Sequence, residues 1–226
     1  MNRRGFLQQT TLSAAAFFTG SRARSRQTKH LVLVVNGGAR KKDYYEDESL
    51  SPNIRRLAED GFVFEEDHCD RISSHDAAFA EMVNGLEGNY SLVQSVWRVA
   101  AVLQQHRPRM IVCREMAHDV GHESFTEYRR VVRATDSAVG ALFDWIKADP
   151  YFSQNTAIII RPDFGRDDEV NAQGELHHSE GFYYTHRVAS IFWGPDFRKG
   201  VDRRTVVNRR DLASMMATLL GRDFRG

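Results

Sequence analysis

Asp119 and His122 stand close together in a short polar turn, Met116-Ala117-His118-Asp119-Val120-Gly121-His122. A carboxylate and an imidazole at that spacing suit zinc or a similar divalent ion, which accepts nitrogen and carboxylate oxygen together. His178, in the polar loop that contains His177-His178, could complete such a site. Asp163 closes a second candidate stretch, Ala157-Ile158-Ile159-Ile160-Arg161-Pro162-Asp163-Phe164-Gly165. A β-branched run that stops at Pro-Asp-x-Gly reads as a buried parallel strand delivering an acidic residue to its carboxyl end. Asn36 ends another apolar run, before Gly37-Gly38, where the backbone can approach a ligand closely. Ser73 and Ser74 precede an apolar helical stretch, residues 77–83. A serine at a helix N-terminus either attacks an anionic group drawn there by the amides and the dipole, or simply caps the helix. His68, His75 and Asp76 crowd the same loop and could be ligands, bases or polar cover.

Those residues need elements to carry them. Residues 30–35, 62–64, 109–113, 157–160 and 188–193 are short apolar runs expected as strands. Between them the spacing predicts helices over residues 51–61, 77–83, 92–105 and 125–147, with a closing helix over 211–220. Ser51 suits the N-cap of the first helix, Pro52 its first turn and Gly61 its stop. Strands alternating with helices predict an α/β fold: a mainly parallel sheet with helices on both faces. In such sheets ligands lie at the carboxyl ends of the strands, where Asn36, Asp119, His122 and Asp163 are all expected.

The chain has 226 residues, enough for one α/β domain and no second large one. Its 31 basic and 30 acidic residues nearly cancel, so no global basic field argues for nucleic acid. Residues 1–29 differ from the rest: Arg3-Arg4-Gly5-Phe6-Leu7, a modest apolar stretch over 10–20, then a basic, polar segment. That order describes a twin-arginine-type export signal and basic linker ahead of a single domain over 30–226. The expected partner is the twin-arginine export machinery, and the expected location is the periplasm or the exterior. The apolar stretch is far short of the roughly 20 residues a membrane span needs. An oxidising compartment would permit a disulfide between Cys69 and Cys113, or leave two buried thiols.

Ser-Pro-Asn-Ile-Arg-Arg-Leu-Ala-Glu-Asp-Gly-Phe-Val-Phe, residues 51–64, resembles a segment of the sulfatases. Over roughly residues 30–197, motif order is similar to the alkaline phosphatase superfamily, which includes sulfatases, nucleotide pyrophosphatases and cofactor-independent phosphoglycerate mutases. The Asn84-Gly85 pair stands for the family's Thr-Gly, Asp119…His122 for its Asp…Gly-His turn, Asp163-Phe164-Gly165 for its Asp-His-Gly, and Gly194-Pro195 follows a later strand.

The resemblance implies an alkaline-phosphatase-like fold and a metal-dependent hydrolase acting on a small anionic ester through Ser74. One divalent ion, zinc in the first instance, would be held by Asp119, His122 and His178. A second would need Asn36, Ser74, Asp163 and the residue after it. Asn36 and Phe164 depart from that second set, and His75 or His118 would have to substitute. A sulfatase is disfavoured, because the places for proline and arginine after the nucleophile hold His75 and Ala77 from Ser73, or Asp76 and Ala78 from Ser74. The alternative is a degenerate, non-catalytic member that binds a metal or ligand.

Overall fold

The computed structural model describes residues 27–72 and 74–221. The signal motif and Ser73 lie outside the described residues.

Strand β1 (His30–Asn36) is buried along its whole length, because both of its faces are covered. Leu31, Leu33 and Val35 pack with helices α2 (His75–Val83) and α7 (Asp211–Leu219). Val32 and Val34 pack on the other side with α1 (Pro52–Asp60), α3 (Val99–His106), α4 (Phe125–Ala148) and α5 (Pro150–Asn155). Alternation along a strand thus feeds two cores, which is why the run reads as continuously apolar.

The sheet runs in the order β3 (Ser91–Val93), β4 (Met110–Glu115), β1, β5 (Thr156–Pro162), β6 (Arg187–Trp193), β2 (Phe62–His68), β7 (Gly200–Asp202), with β8 (Val207–Asn208) also beside β2. Pairings are parallel except at β6, which is antiparallel to both β5 and β2. The carboxyl ends of β1, β4 and β5 therefore share one edge with the start of β6. The loop from Asp163 to the short helix α6 (Tyr183–His186) stays on that edge.

Several expectations need correction. Residues 92 and 93 belong to β3, not to the start of a helix; a 3-10 turn (Val96–Arg98) intervenes before α3. Residues 188–193 are not the last strand, since β7 and β8 follow. Ser51 sits at the N-cap position of α1 without capping it; its hydroxyl donates instead to the Asp43 carbonyl at 2.9 Å. For the cysteines the second of the two expected outcomes is met: Cys69 and Cys113 are both buried and free.

Candidate metal centre

At the shared edge, His75, Asp119 and His178 each present a ligand atom within 4.8 Å of the other two. Three elements deliver them: His75 opens α2, Asp119 lies in the 3-10 turn after β4 (Ala117–His122), and His178 is on the β5–β6 loop. Ser74 precedes His75 as the N-cap of α2, its hydroxyl accepting from the Ala77 amide at 3.3 Å. The capping expectation for this serine is met.

The ring nitrogens are sorted by their neighbours. His75 Nδ1 lies 2.6 Å from Asp163 Oδ2, and His75 Nε2 lies 3.0 Å from Asp119 Oδ1. His122 Nε2 is 3.3 Å from the same Asp119 oxygen. Its Nδ1 meets His177 Nδ1 at 2.7 Å, and His177 Nε2 meets Glu175 Oε2 at 3.0 Å. A carboxylate only accepts, so in a neutral His177 the hydrogen is on Nε2, toward Glu175, and Nδ1 then accepts from His122 Nδ1. The His178 ring packs 4.5 Å from that of His122 and 4.6 Å from that of Phe164.

Burial lowers the pKa of His178 to about 4, and the Arg166 guanidinium pushes the same way. His122 is lowered for the same two reasons. Both rings are therefore neutral near pH 7, the form that binds metals. His75 differs: burial opposes its charge, but hydrogen bonds to Asp163 and Asp119 outweigh burial and raise its pKa. Asp119 is lowered, its own burial being outweighed by His75, His122 and Arg166.

Asp163, expected as a metal residue, lies outside that group of three. It is buried; Oδ1 accepts from the amides of Gly38 at 2.7 Å and Phe164 at 2.9 Å, and Oδ2 is taken by His75. Gly38 reaches it at φ +65, a conformation that costs a residue with a Cβ. Asn36 is fully buried at the end of β1, its amide O and N without a hydrogen-bond partner among the described residues. His118 is not brought into the cluster. It is buried against Tyr128, its Nδ1 is 3.4 Å from the Glu115 carbonyl, and burial lowers its pKa to about 4.

Sequence reasoning missed Arg166. Its fully buried guanidinium donates to the carbonyls of Gly38, Leu176 (2.7 Å) and His118 (2.9 Å), and reaches Asp119 Oδ1 at 3.3 Å. It staples the loops after β1, β4 and β5 together. Gly121 leaves it room, since a Cβ there would meet the guanidinium carbon at 3.0 Å. An arginine directly after Asp-Phe-Gly was the available signal. The Glu175–His177 support was missed because neither residue stands at a strand end.

Two imidazoles and one carboxylate form a donor set that fits zinc, whose catalytic sites use three protein ligands and an open position.

No protein-family model and no curated protein matches the chain. Solved structures do. Ps i-CgsB in complex with k-i-k-neocarrahexaose superposes with a TM-score of 0.66 at 13% identity, covering 88% of this chain and 73% of that one. A protein in the alkaline phosphatase superfamily from Vibrio parahaemolyticus superposes at 0.65 and 12% identity, covering 99% of this chain and 76% of that one. The fold is alkaline-phosphatase-like, as the motif order implied.

Proposed function

We propose that the chain is a metal-dependent hydrolase of phosphate esters, sulfate esters being second, with Ser74 as nucleophile. The observation that carries this reading is the cluster of His75, Asp119 and His178 at the carboxyl edge of an alkaline-phosphatase-like sheet. His75, Asp119 and His178, with His122 beside them, would hold a divalent ion, most simply zinc. Bound there, the ion would supply Lewis-acid stabilisation of charge on the ester oxygens and on the attacking group. Ser74, exposed at the start of α2, would supply the attacking oxygen. The N-terminus of α2, with the helix dipole behind it, would orient the anionic group beside it. Arg166 is buried and so would act on the ester only through Asp119 and the loops it fixes. The first 29 residues are proposed to direct export by the twin-arginine route.

A second reading has its own observation. Phe164 is completely buried and Asn36 is neutral, so the expected second ion lacks an imidazole and a carboxylate. A protein that binds one metal and an anionic ligand without turnover would look the same.

The discriminating experiment measures metal content together with hydrolysis of a generic phosphomonoester and phosphodiester, with zinc, manganese, cobalt and magnesium in turn. The hydrolase reading expects metal-dependent turnover that falls by about 100-fold or more in Ser74→Ala, as befits loss of a covalent nucleophile. Bound metal without turnover supports the binding reading. Turnover unchanged in Ser74→Ala would sink the assignment of the nucleophile.

A further inference from the structure

Asp163 sits where a strand-end carboxylate would be expected to bind an ion, yet both of its carboxylate oxygens already meet protein donors. Oδ1 holds two amides, of Gly38 and Phe164, and Oδ2 holds His75 Nδ1 at 2.6 Å. Its own carbonyl is fixed as well, accepting from Arg209 Nη1 at 3.0 Å, Arg161 Nη1 at 3.3 Å and the Cys69 thiol at 3.3 Å. Arg161 and Arg209 are fully buried, so these donors cannot wander. A carboxylate held in this way is not free to swing toward an ion. What it can do is fix the ring next to it.

The ring it fixes is also held by its face. His75 stacks on Phe164 with centroids 4.8 Å apart and 27° between planes, and Phe164 is 0% exposed. With the Nδ1 hydrogen directed at Asp163 and the ring plane set by Phe164, the remaining nitrogen, Nε2, is aimed at Asp119 Oδ1, 3.0 Å away.

We infer that Asp163 is a positioning residue, not a ligand: with Phe164 it holds His75 in the Nδ1–H tautomer so that Nε2 is the metal-binding atom. The inference rests on the metal-dependent reading above and deepens it. Carboxylates behind metal-bound imidazoles raise ligand basicity, and their loss typically costs 10- to 100-fold in affinity. Asp163→Asn keeps an oxygen for the two amides but turns an NH2 toward Nδ1. The ring must then accept at Nδ1 and carry its hydrogen on Nε2, where it cannot ligate.

The test uses the full chain, zinc affinity by competition with a chromogenic chelator, and long-range proton–nitrogen NMR of the zinc-loaded protein to read the His75 tautomer. Expected for the wild type is Nδ1–H with zinc on Nε2. Expected for Asp163→Asn is a fall of about 10- to 100-fold in affinity and loss of the Nδ1–H signature. His75→Gln, at a partly exposed position that leaves Asp163 unchanged, should weaken binding similarly and guards against an Asp163 variant that fails to fold. An Nε2–H tautomer in the zinc-loaded wild type, or unaltered affinity in either folded variant, would overturn the inference while leaving metal binding intact. A wild type that takes up no zinc would instead overturn the reading beneath it.

Discussion

Arg161→Met tests how the fold holds its central strand. Arg161 lies on β5 with its guanidinium wholly buried, and Asp67 on β2 is nearly so. The two strands are not neighbours; β6 lies between them. Nε and Nη2 of Arg161 meet the two oxygens of Asp67 at 2.8 and 2.6 Å, and Ser190 of β6 donates to the same carboxylate. The ion pair therefore spans three strands beneath the candidate site. Methionine keeps much of the packing against Met82 but leaves Asp67 buried without its cation. Removing one partner of a buried pair costs about 3–5 kcal/mol. At about 2–4 °C per kcal/mol for a domain of this size, the melting temperature should fall by roughly 6–20 °C at pH 7. Circular-dichroism melts and urea midpoints read this directly, and the triple variant Arg161→Met, Asp67→Leu, Ser190→Ala should recover most of the loss. A fall below about 2 °C at pH 7 would refute the reasoning.

Two further outcomes follow from single contacts. The Tyr44 hydroxyl both donates to the Ala189 carbonyl at 2.5 Å and accepts from the Ala189 amide at 2.6 Å. It satisfies β6 just where the β5 ladder has ended, so Tyr44→Phe should cost about 1–3 kcal/mol, visible as a lower urea midpoint with unchanged slope. Asp60 is held down to about 2: burial alone would raise its pKa, but Lys199, Lys147 and the Trp193 indole outweigh that. Its folded pKa is depressed, so its contribution is present above the unfolded value near 3.9 and is lost as pH falls toward 2. Asp60→Asn should remove that part of the acid sensitivity, leaving a flatter stability profile between pH 4 and 2.

The layered α/β arrangement was legible because β1 and β5 are apolar on both faces and α4 carries a long stripe of helical spacing. Residues 91–93 were not, since three residues are too short to display a period of two and they run straight into the Val96, Val99, Leu103 helical pattern. The reversal of β6 left no trace in its composition; a strand buried on both faces reads the same in either direction. At the site, Asp119, His122 and His178 could be picked out by type and place, whereas the use of Asp163 could not. Ligand or orienter depends on which donors reach its oxygens, and two of the three, from Gly38 and His75, are far away in sequence. Arg166 escaped for a related reason: a charged side chain near a loop reads as solvated until the carbonyls of three separate loops are seen around it.

The reversed direction of β6 has an evolutionary consequence. Because β5 leaves the ligand edge and β6 re-enters from that same edge, the segment between Asp163 and Arg187 never has to cross the sheet. It is a hairpin-like excursion whose length is not set by any helix that must span the fold. Residues can be added at its exposed turn over 172–174 without re-registering a strand. The chain thus keeps an exposed loop anchored, through His178 and the Asp167 contacts to Ser179 and Thr185, directly on its most constrained centre. Divergence in what such a scaffold accepts can accumulate there while the sheet stays as it is.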